Sequence, residues 1–484
     1  MFGKIKTVIE KIKKLNSSIN QYQKDTIIQS LPSLAYVNRA KVLIEKNKFD
    51  EAESVLLEAL ELPQKDALVY KYLGMVYEKT SRSEDAVKNY QISADLEPQD
   101  KFIWQRLGFS LISVEKYEQA EKSFENANKV ASGNTDTFTG WGMSLMKQKR
   151  YDEARDKFMK AIKCFKYNYS ALFLCAVMES KLEIYDKAEP KFIFLVRFHP
   201  DEANCYEYAN LLFKKKNYDK AFELVKKALK YNSNLLPAYI LAGKICAINF
   251  DEENCLKYFN KAKEKNLTSS DLYLDFGISL LRFGKFDEAT EEFLKAQDIE
   301  TAKDYLSLCK ALKGDLKDVE SISAEDNEVK KLTQAIGLYE TDRPDEAIPY
   351  FKANEDDYLS CHYLAKCYIK KCNDTKVRET FEDILSKFPL YKPAYYDYIN
   401  YLISNNDFES ARRKIRKALK NEPDNIKLLN LMFYVNYNLV KANICEYNVK
   451  ETLSIAEKIE NINADMFEYP ALKQELSNIF GDKN

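Results

Sequence analysis

Two histidines, His199 and His362, stand in a chain of 484 residues. Imidazole titrates near neutral pH and is the commonest metal ligand, so acid–base or metal chemistry has few places to reside here. Cys361-His362 with Cys367 and Cys372 comes nearest to a metal cluster. Zinc sites pair their ligands at short spacing, such as CxxC, whereas these thiols follow Cys361 by six and eleven residues. On the helix expected across this segment, eleven residues span about 16 Å, too far for one ion. The sequence holds no GxxxxGK[ST] or GxGxxG phosphate loop and no GxSxG nucleophile elbow. Carboxylates are plentiful but scattered, and no nucleophile, base and cofactor set converges. The expectation is a non-catalytic chain with no metal, no cofactor and no small-molecule substrate.

The composition asks for helices. Gly and Pro number only 12 each, while 45% of residues are apolar and 31% charged, the mix of many amphipathic helices. Lys plus Arg (74) nearly cancels Asp plus Glu (75), so no net field favours nucleic acid as a partner. Ten cysteines stand singly, with no CxxC pair. That pattern reads as reduced thiols in a cytoplasmic protein. No stretch reaches the ~20 apolar residues of a membrane span. A chain of this length exceeds a single hydrophobic core, which leaves several domains or a repeat array.

The array is visible. Small residues recur at Ala52, Ala86, Ala120, Ala154, Ala188, Ala221, Cys255 and Ala289, spaced by 34 residues with one interval of 33. Twelve residues before each stands a second small residue: Ala40, Gly74, Gly108, Gly142, Ala176, Ala209, Gly243 and Gly277. Four residues after comes a large apolar one: Leu56, Tyr90, Phe124, Phe158, Phe192, Val225, Phe259 and Phe293. Apolar residues three or four apart in each half make both halves helices, A and B. Gly inside a helix costs ~1 kcal/mol against Ala, so its recurrence implies close crossing of A and B at the small residues.

The pattern resembles the tetratricopeptide repeat, a 34-residue helix pair. Residues 67–100 carry Tyr70, Leu73-Gly74, Tyr77, Ala86, Tyr90 and Pro98, and residues 101–134 carry Trp104, Leu107-Gly108, Tyr117 and Ala120. Residues 135–168 carry Trp141-Gly142 and Tyr151-Asp152-Glu153-Ala154. The resemblance implies an all-α fold, a right-handed superhelix of about 11 helix pairs with capping helices at the ends. It also implies a protein or peptide partner held on the concave side by A-helix positions 2, 5, 9 and 12. Carried over, these are Phe102, Gln105, Phe109 and Ile112; Asp136, Thr139, Met143 and Met146; Phe173 and Val177; Tyr206, Asn210 and Phe213; Ile240 and Lys244; and Leu274, Ile278 and Leu281. An apolar stripe of this kind suits an adaptable peptide groove. The rival account is that tight curvature lets neighbouring A helices shield it. Chaperone-tail binders of the family use a Lys/Asn/Arg carboxylate clamp; of the matching positions Val37, Lys41, Tyr72, Phe102 and Arg106, only Arg106 fits.

The register fails once. From Ala289 to the next B-helix signature, Asp345-Glu346-Ala347, is 58 residues rather than the 68 of two units. The expected organisation is therefore an N-terminal helical segment at 1–32, eight regular units at 33–303 and a shortened repeat at 304–327. Three more units follow at 328–425, and capping helices at 426–484. Within 304–327, Asp304–Lys313 is the expected helix and Ser321–Asn327 a polar connection, serving as a hinge or reflecting simple divergence. Pro190 and Pro349 each fall two residues after the small Ala of a B helix and should kink it on its outer face. In residues 1–15, Phe2, Ile5, Val8, Ile9, Ile12 and Leu15 form one face, and Lys4, Lys6, Lys11, Lys13 and Lys14 the other. Such a helix can cap the first repeat, bind a partner or lie on an anionic membrane, the last making the chain a peripheral membrane assembly factor.

Overall fold

The computed structural model describes the backbone of residues 21–63, 65–317, 327–442 and 446–481, and their side chains except at 21–32, 446–448 and 479–481. The basic amphipathic face of residues 1–15 and most of the Ser321–Asn327 connection lie outside the described residues. Among the described residues there are 26 α-helices, one short 3-10 turn and no strand. The chain divides into two compact units, residues 1–233 and 234–484.

The first unit holds six antiparallel helix pairs: Gln21–Glu45/Phe49–Leu60, Ala67–Lys79/Ser83–Leu96, Lys101–Ser113/Tyr117–Val130, Thr135–Lys147/Tyr151–Cys164, Tyr169–Lys181/Tyr185–Phe198 and Glu202–Lys214/Tyr218–Tyr231. Its first helix, Gln21–Glu45, runs across the expected boundary between residues 32 and 33. The second unit holds a seventh and eighth pair, Leu236–Ile248/Glu252–Glu264 and Ser270–Arg282/Phe286–Lys295. A single helix, Glu300–Leu312, follows and packs against both Phe286–Lys295 and Glu328–Glu340. It begins four residues before the expected Asp304. Three further pairs complete the series, Glu328–Glu340/Pro344–Ala353, Tyr358–Lys370/Asp374–Lys387 and Lys392–Ser404/Phe408–Leu419. The C-terminal helices are Ile426–Ala442, Glu446–Asn463 and Pro470–Gly481.

Local chemistry sets the boundaries. Asp66, Asp100, Asn134, Asn168 and Asp201 each precede an A helix and accept a hydrogen bond from a backbone N–H in its first turn, satisfying donors a helix start leaves open. Each A helix ends in a tight turn whose pivot has positive φ: Asn47, Ser81, Glu115, Lys149, Glu183, Lys216, Phe250, Gly284, Gly314, Asp342, Cys372 and Asn406. The B helix then opens with acidic residues such as Asp50-Glu51, Glu84-Asp85 and Asp152-Glu153, which suit the positive end of the helix dipole.

The core follows the repeat. Ala52, Ala86, Ala120, Ala154, Ala188, Ala221, Cys255 and Ala289 have no exposed surface, and Tyr90, Phe124, Phe158, Phe192, Phe259 and Phe293 are among the largest fully buried side chains. The glycines have a more particular role than a close crossing with alanine. A Cβ built on Gly74 would lie 2.8 Å from the Tyr90 ring, and one on Gly142 2.5 Å from that of Phe158. Gly108, Gly243 and Gly277 face Phe124, Phe259 and Phe293 in the same way. The A-helix glycine therefore seats the B-helix ring. Pro190 and Pro349 are exposed, as the outer-face expectation requires, and the helices that contain them are unbroken.

Candidate peptide-binding surfaces

The A-helix positions carried over from the repeat are mostly half-buried. Phe102, Phe109, Ile112, Met143, Met146, Phe173, Val177, Tyr206, Asn210 and Phe213 in the first unit all fall in this class, as do Ile240, Lys244, Leu274 and Ile278 in the second. Leu281 is buried and Asp136 exposed. The fold thus covers part of each half-buried side chain and leaves part of it open.

Several of these residues also pack within the protein. Phe109 meets Phe124 edge-on at 5.2 Å, Phe173 meets Phe192 at 6.5 Å, and Phe213 meets Tyr218 at 5.6 Å between ring centroids. Phe102 lies beneath two cations, with Lys71 Nζ 4.7 Å and Arg106 Cζ 5.0 Å from its ring centre. Both cations are tied down, Lys71 by Asp100 at 2.6 Å and Arg106 by Glu78 at 2.9 Å. Arg106, the residue that fits the carboxylate clamp, is therefore already paired. Gln105 and Thr139 are buried. The Gln105 amide donates to Asn134 Oδ1 at 2.8 Å and to Thr137 Oγ1 at 2.7 Å, and Thr139 donates to the Thr135 carbonyl at 2.8 Å. Gln105 joins two repeats through its amide nitrogen. Beside Asn210, burial pushes the Glu207 carboxyl up, while the Asn210 amide and the Lys214 and Lys181 charges pull it down.

In the second unit the lone helix opens a cleft of about 320 Å³, the scale of a small ligand site. Ile278 and Leu281 of the eighth pair form one wall, with Leu308 of the lone helix and Leu332 of the ninth pair opposite. Arg282, Tyr305, Asp357 and Tyr358 are among its polar groups, with Glu328, Asn354 and Ser360. The sequence placed Ile278 and Leu281 here but missed Arg282, Tyr305 and Tyr358, because the broken register hides which residues follow the A-helix positions. Burial, with the nearby Asp357 charge, raises the Tyr305 phenol; burial likewise raises that of Tyr358, against the pull of Arg282. Both stay protonated at neutral pH and serve as hydrogen-bonding edges.

The Cys361–Cys372 segment makes no cluster. Cys361, His362 and Cys367 are buried on the helix Tyr358–Lys370, whereas Cys372 sits beyond its end, exposed, at a positive-φ turn. The expectation of one helix through all three thiols is corrected by that turn. His362 is held by its neighbours, with Nε2 2.8 Å from Asp397 Oδ2 and Nδ1 3.0 Å from the Tyr391 hydroxyl. Burial lowers its pKa, against the pull of Asp397. Among the described residues no group of three or more His, Cys, Asp or Glu is placed to hold a metal, and no helix is long and apolar enough to cross a membrane.

Tetratricopeptide-repeat profiles match residues 37–101 and 203–235. No curated protein matches the sequence. Among solved structures, a chain of the APC/C hetero-tetramer Cut9–Hcn1 is 15% identical across 90% of this chain and 95% of its own, with a TM-score of 0.48. A tetratricopeptide repeat protein from Parabacteroides merdae is 17% identical across 51% of this chain and 98% of its own, with a TM-score of 0.42. Pseudomonas aeruginosa pilF is 17% identical across 43% of this chain and 94% of its own, with a TM-score of 0.38. At such identities a likeness does not extend to partner or process. The profiles match stretches where the 34-residue spacing is embodied in stacked helix pairs, and the chain carries tetratricopeptide repeats there.

Proposed function

We propose that the chain is a non-catalytic scaffold that holds a segment of a partner polypeptide on the inward faces of its A helices. Phe102, Phe109, Met143, Phe173, Tyr206 and Phe213 supply most of the area buried. The observation that carries this reading is the half-buried state of those apolar side chains in consecutive pairs. An apolar stripe that its own fold leaves partly open gains further burial only from a second molecule. The partner is a protein or peptide; neither nucleic acid nor a small-molecule substrate is called for. The nine described cysteines are unpaired, which supports a reducing, cytoplasmic setting.

The test is affinity capture from the native host, with bound proteins identified by mass spectrometry. Ile112→Asp with Met146→Asp is the informative variant; both side chains also touch the core, so folding is checked before capture is read. Capture should fall by about tenfold or more while circular dichroism keeps its helical signal. Undiminished capture by the folded variant would remove the inward face from consideration.

A further inference from the structure

The pivot of the A–B turn is a position of positive φ in every pair, and its occupants are mostly small or polar: Asn47, Ser81, Glu115, Lys149, Glu183, Lys216, Gly284, Asp342, Cys372 and Asn406. In the seventh pair it is Phe250, at φ 52°. A large aromatic residue is strained in this left-handed region, and an observed backbone outlier is a reason to ask what its side chain does.

The Phe250 ring reaches a distant part of the second unit. It lies 5.8 Å from the Tyr358 ring, at the start of the tenth pair, and 5.4 Å from that of Tyr391, just before the eleventh. The two tyrosines meet edge-on at 5.0 Å. Arg282 of the eighth pair covers the group, its guanidinium carbon 4.9 Å from the Tyr358 ring centre and 5.9 Å from that of Phe250. Pro389 and Leu390 line the crevice beside Phe250. The receiving side is fixed, because the Tyr391 hydroxyl bonds to the buried His362. Residues more than a hundred positions apart are thus joined by one side chain on a turn of unfavourable backbone.

We propose that Phe250 is a conformational clasp that holds the turn of the seventh pair against the tenth and eleventh. Arg282 and Tyr358 belong to the clasp and also to the cleft wall, so releasing the ring frees two polar groups of that wall.

Phe250→Gly in the full chain separates this account from its opposite, because glycine relieves the backbone strain while removing the ring. With a clasp, the thermal midpoint falls by about 2–4 °C, and amide exchange at 354–362 and 390–396 accelerates by about tenfold or more. If the ring is merely tolerated, glycine raises the midpoint by about 2–4 °C and exchange is unchanged. A raised or unaltered midpoint with unaltered exchange overturns the proposal. As a check, Phe250→Asn, which also tolerates positive φ, should behave as the glycine variant does.

Discussion

At position 142 the difference between glycine and alanine is one methyl group, and the Phe158 ring already occupies its place. An added Cβ would sit 2.5 Å from a carbon of that ring. Helix propensity favours alanine by ~1 kcal/mol, while overpacking a tight core costs about 1–3 kcal/mol, so the clash decides the sign. Gly142→Ala should destabilise the protein by about 1–2 kcal/mol in urea unfolding. Adding Phe158→Leu should recover part of the loss, because the smaller side chain vacates the contested space. A stabilised single variant would show that the ring is free to move. The sequence made the small residue legible at 142 through its spacing, but not its reason. Spacing shows that two helices approach, and only coordinates show that a ring lies between them.

Among the helices, what could be read in advance were the elements with strong local signals. Asp100, Asn134 and Asn168 cap their helices, and their recurrence every 34 residues is written in the chain. The lone helix was placed four residues late because Ile299, the residue before it, makes no side-chain cap. The positive-φ pivots were illegible for a related reason. Glu115, Lys149 and Glu183 are not turn formers; each is held at positive φ where the next N–H bonds back to a helix carbonyl five residues earlier, Lys116 to Leu111, Arg150 to Leu145 and Ile184 to Glu179. Pro190 presents a local conflict inside a B helix, where it removes one backbone hydrogen bond. It is exposed, and Lys122, Asp156 and Glu223 stand at its place in other pairs. Pro190→Glu should therefore raise stability by about 1–3 kcal/mol, read from the shift of a thermal or urea transition. No gain, or a loss, would show that the proline serves a contact on the outer face.

Across the whole chain, thiols report on the two units separately. Cys164 and Cys372 are exposed, while Cys175 and Cys205 are buried in the first unit and Cys246, Cys255, Cys309, Cys361 and Cys367 in the second. Burial pushes Cys175, Cys246, Cys255 and Cys367 up to about 12, and Cys309 and Cys361 to about 11. The thiolate is the nucleophile, so burial and protonation both slow alkylation. Iodoacetamide under native conditions should label Cys164 and Cys372 first. Rising denaturant should then expose the other cysteines in two sets, one for each unit, if the units open independently. Mass spectrometry of the labelled peptides makes the assignment, and early labelling of Cys255 or Cys367 would contradict the packing.

At this scale the succession of helix pairs was legible, whereas the cleft and the Phe250 contact were not, because both depend on residues that the broken register brings together. The seating of a B-helix ring on an A-helix glycine also bears on how such a chain drifts. At 74 and 90, 108 and 124, or 142 and 158, sixteen positions apart, enlarging the small residue presses on the ring and shrinking the ring leaves a void, so the two sites are coupled. Ala176 with Phe192, Ala335 with Phe351 and Ala365 with Phe381 show that alanine and phenylalanine can also share this place. Ala209 with Val225 shows the same trade in the opposite direction: a bulkier floor beneath a slimmer lid.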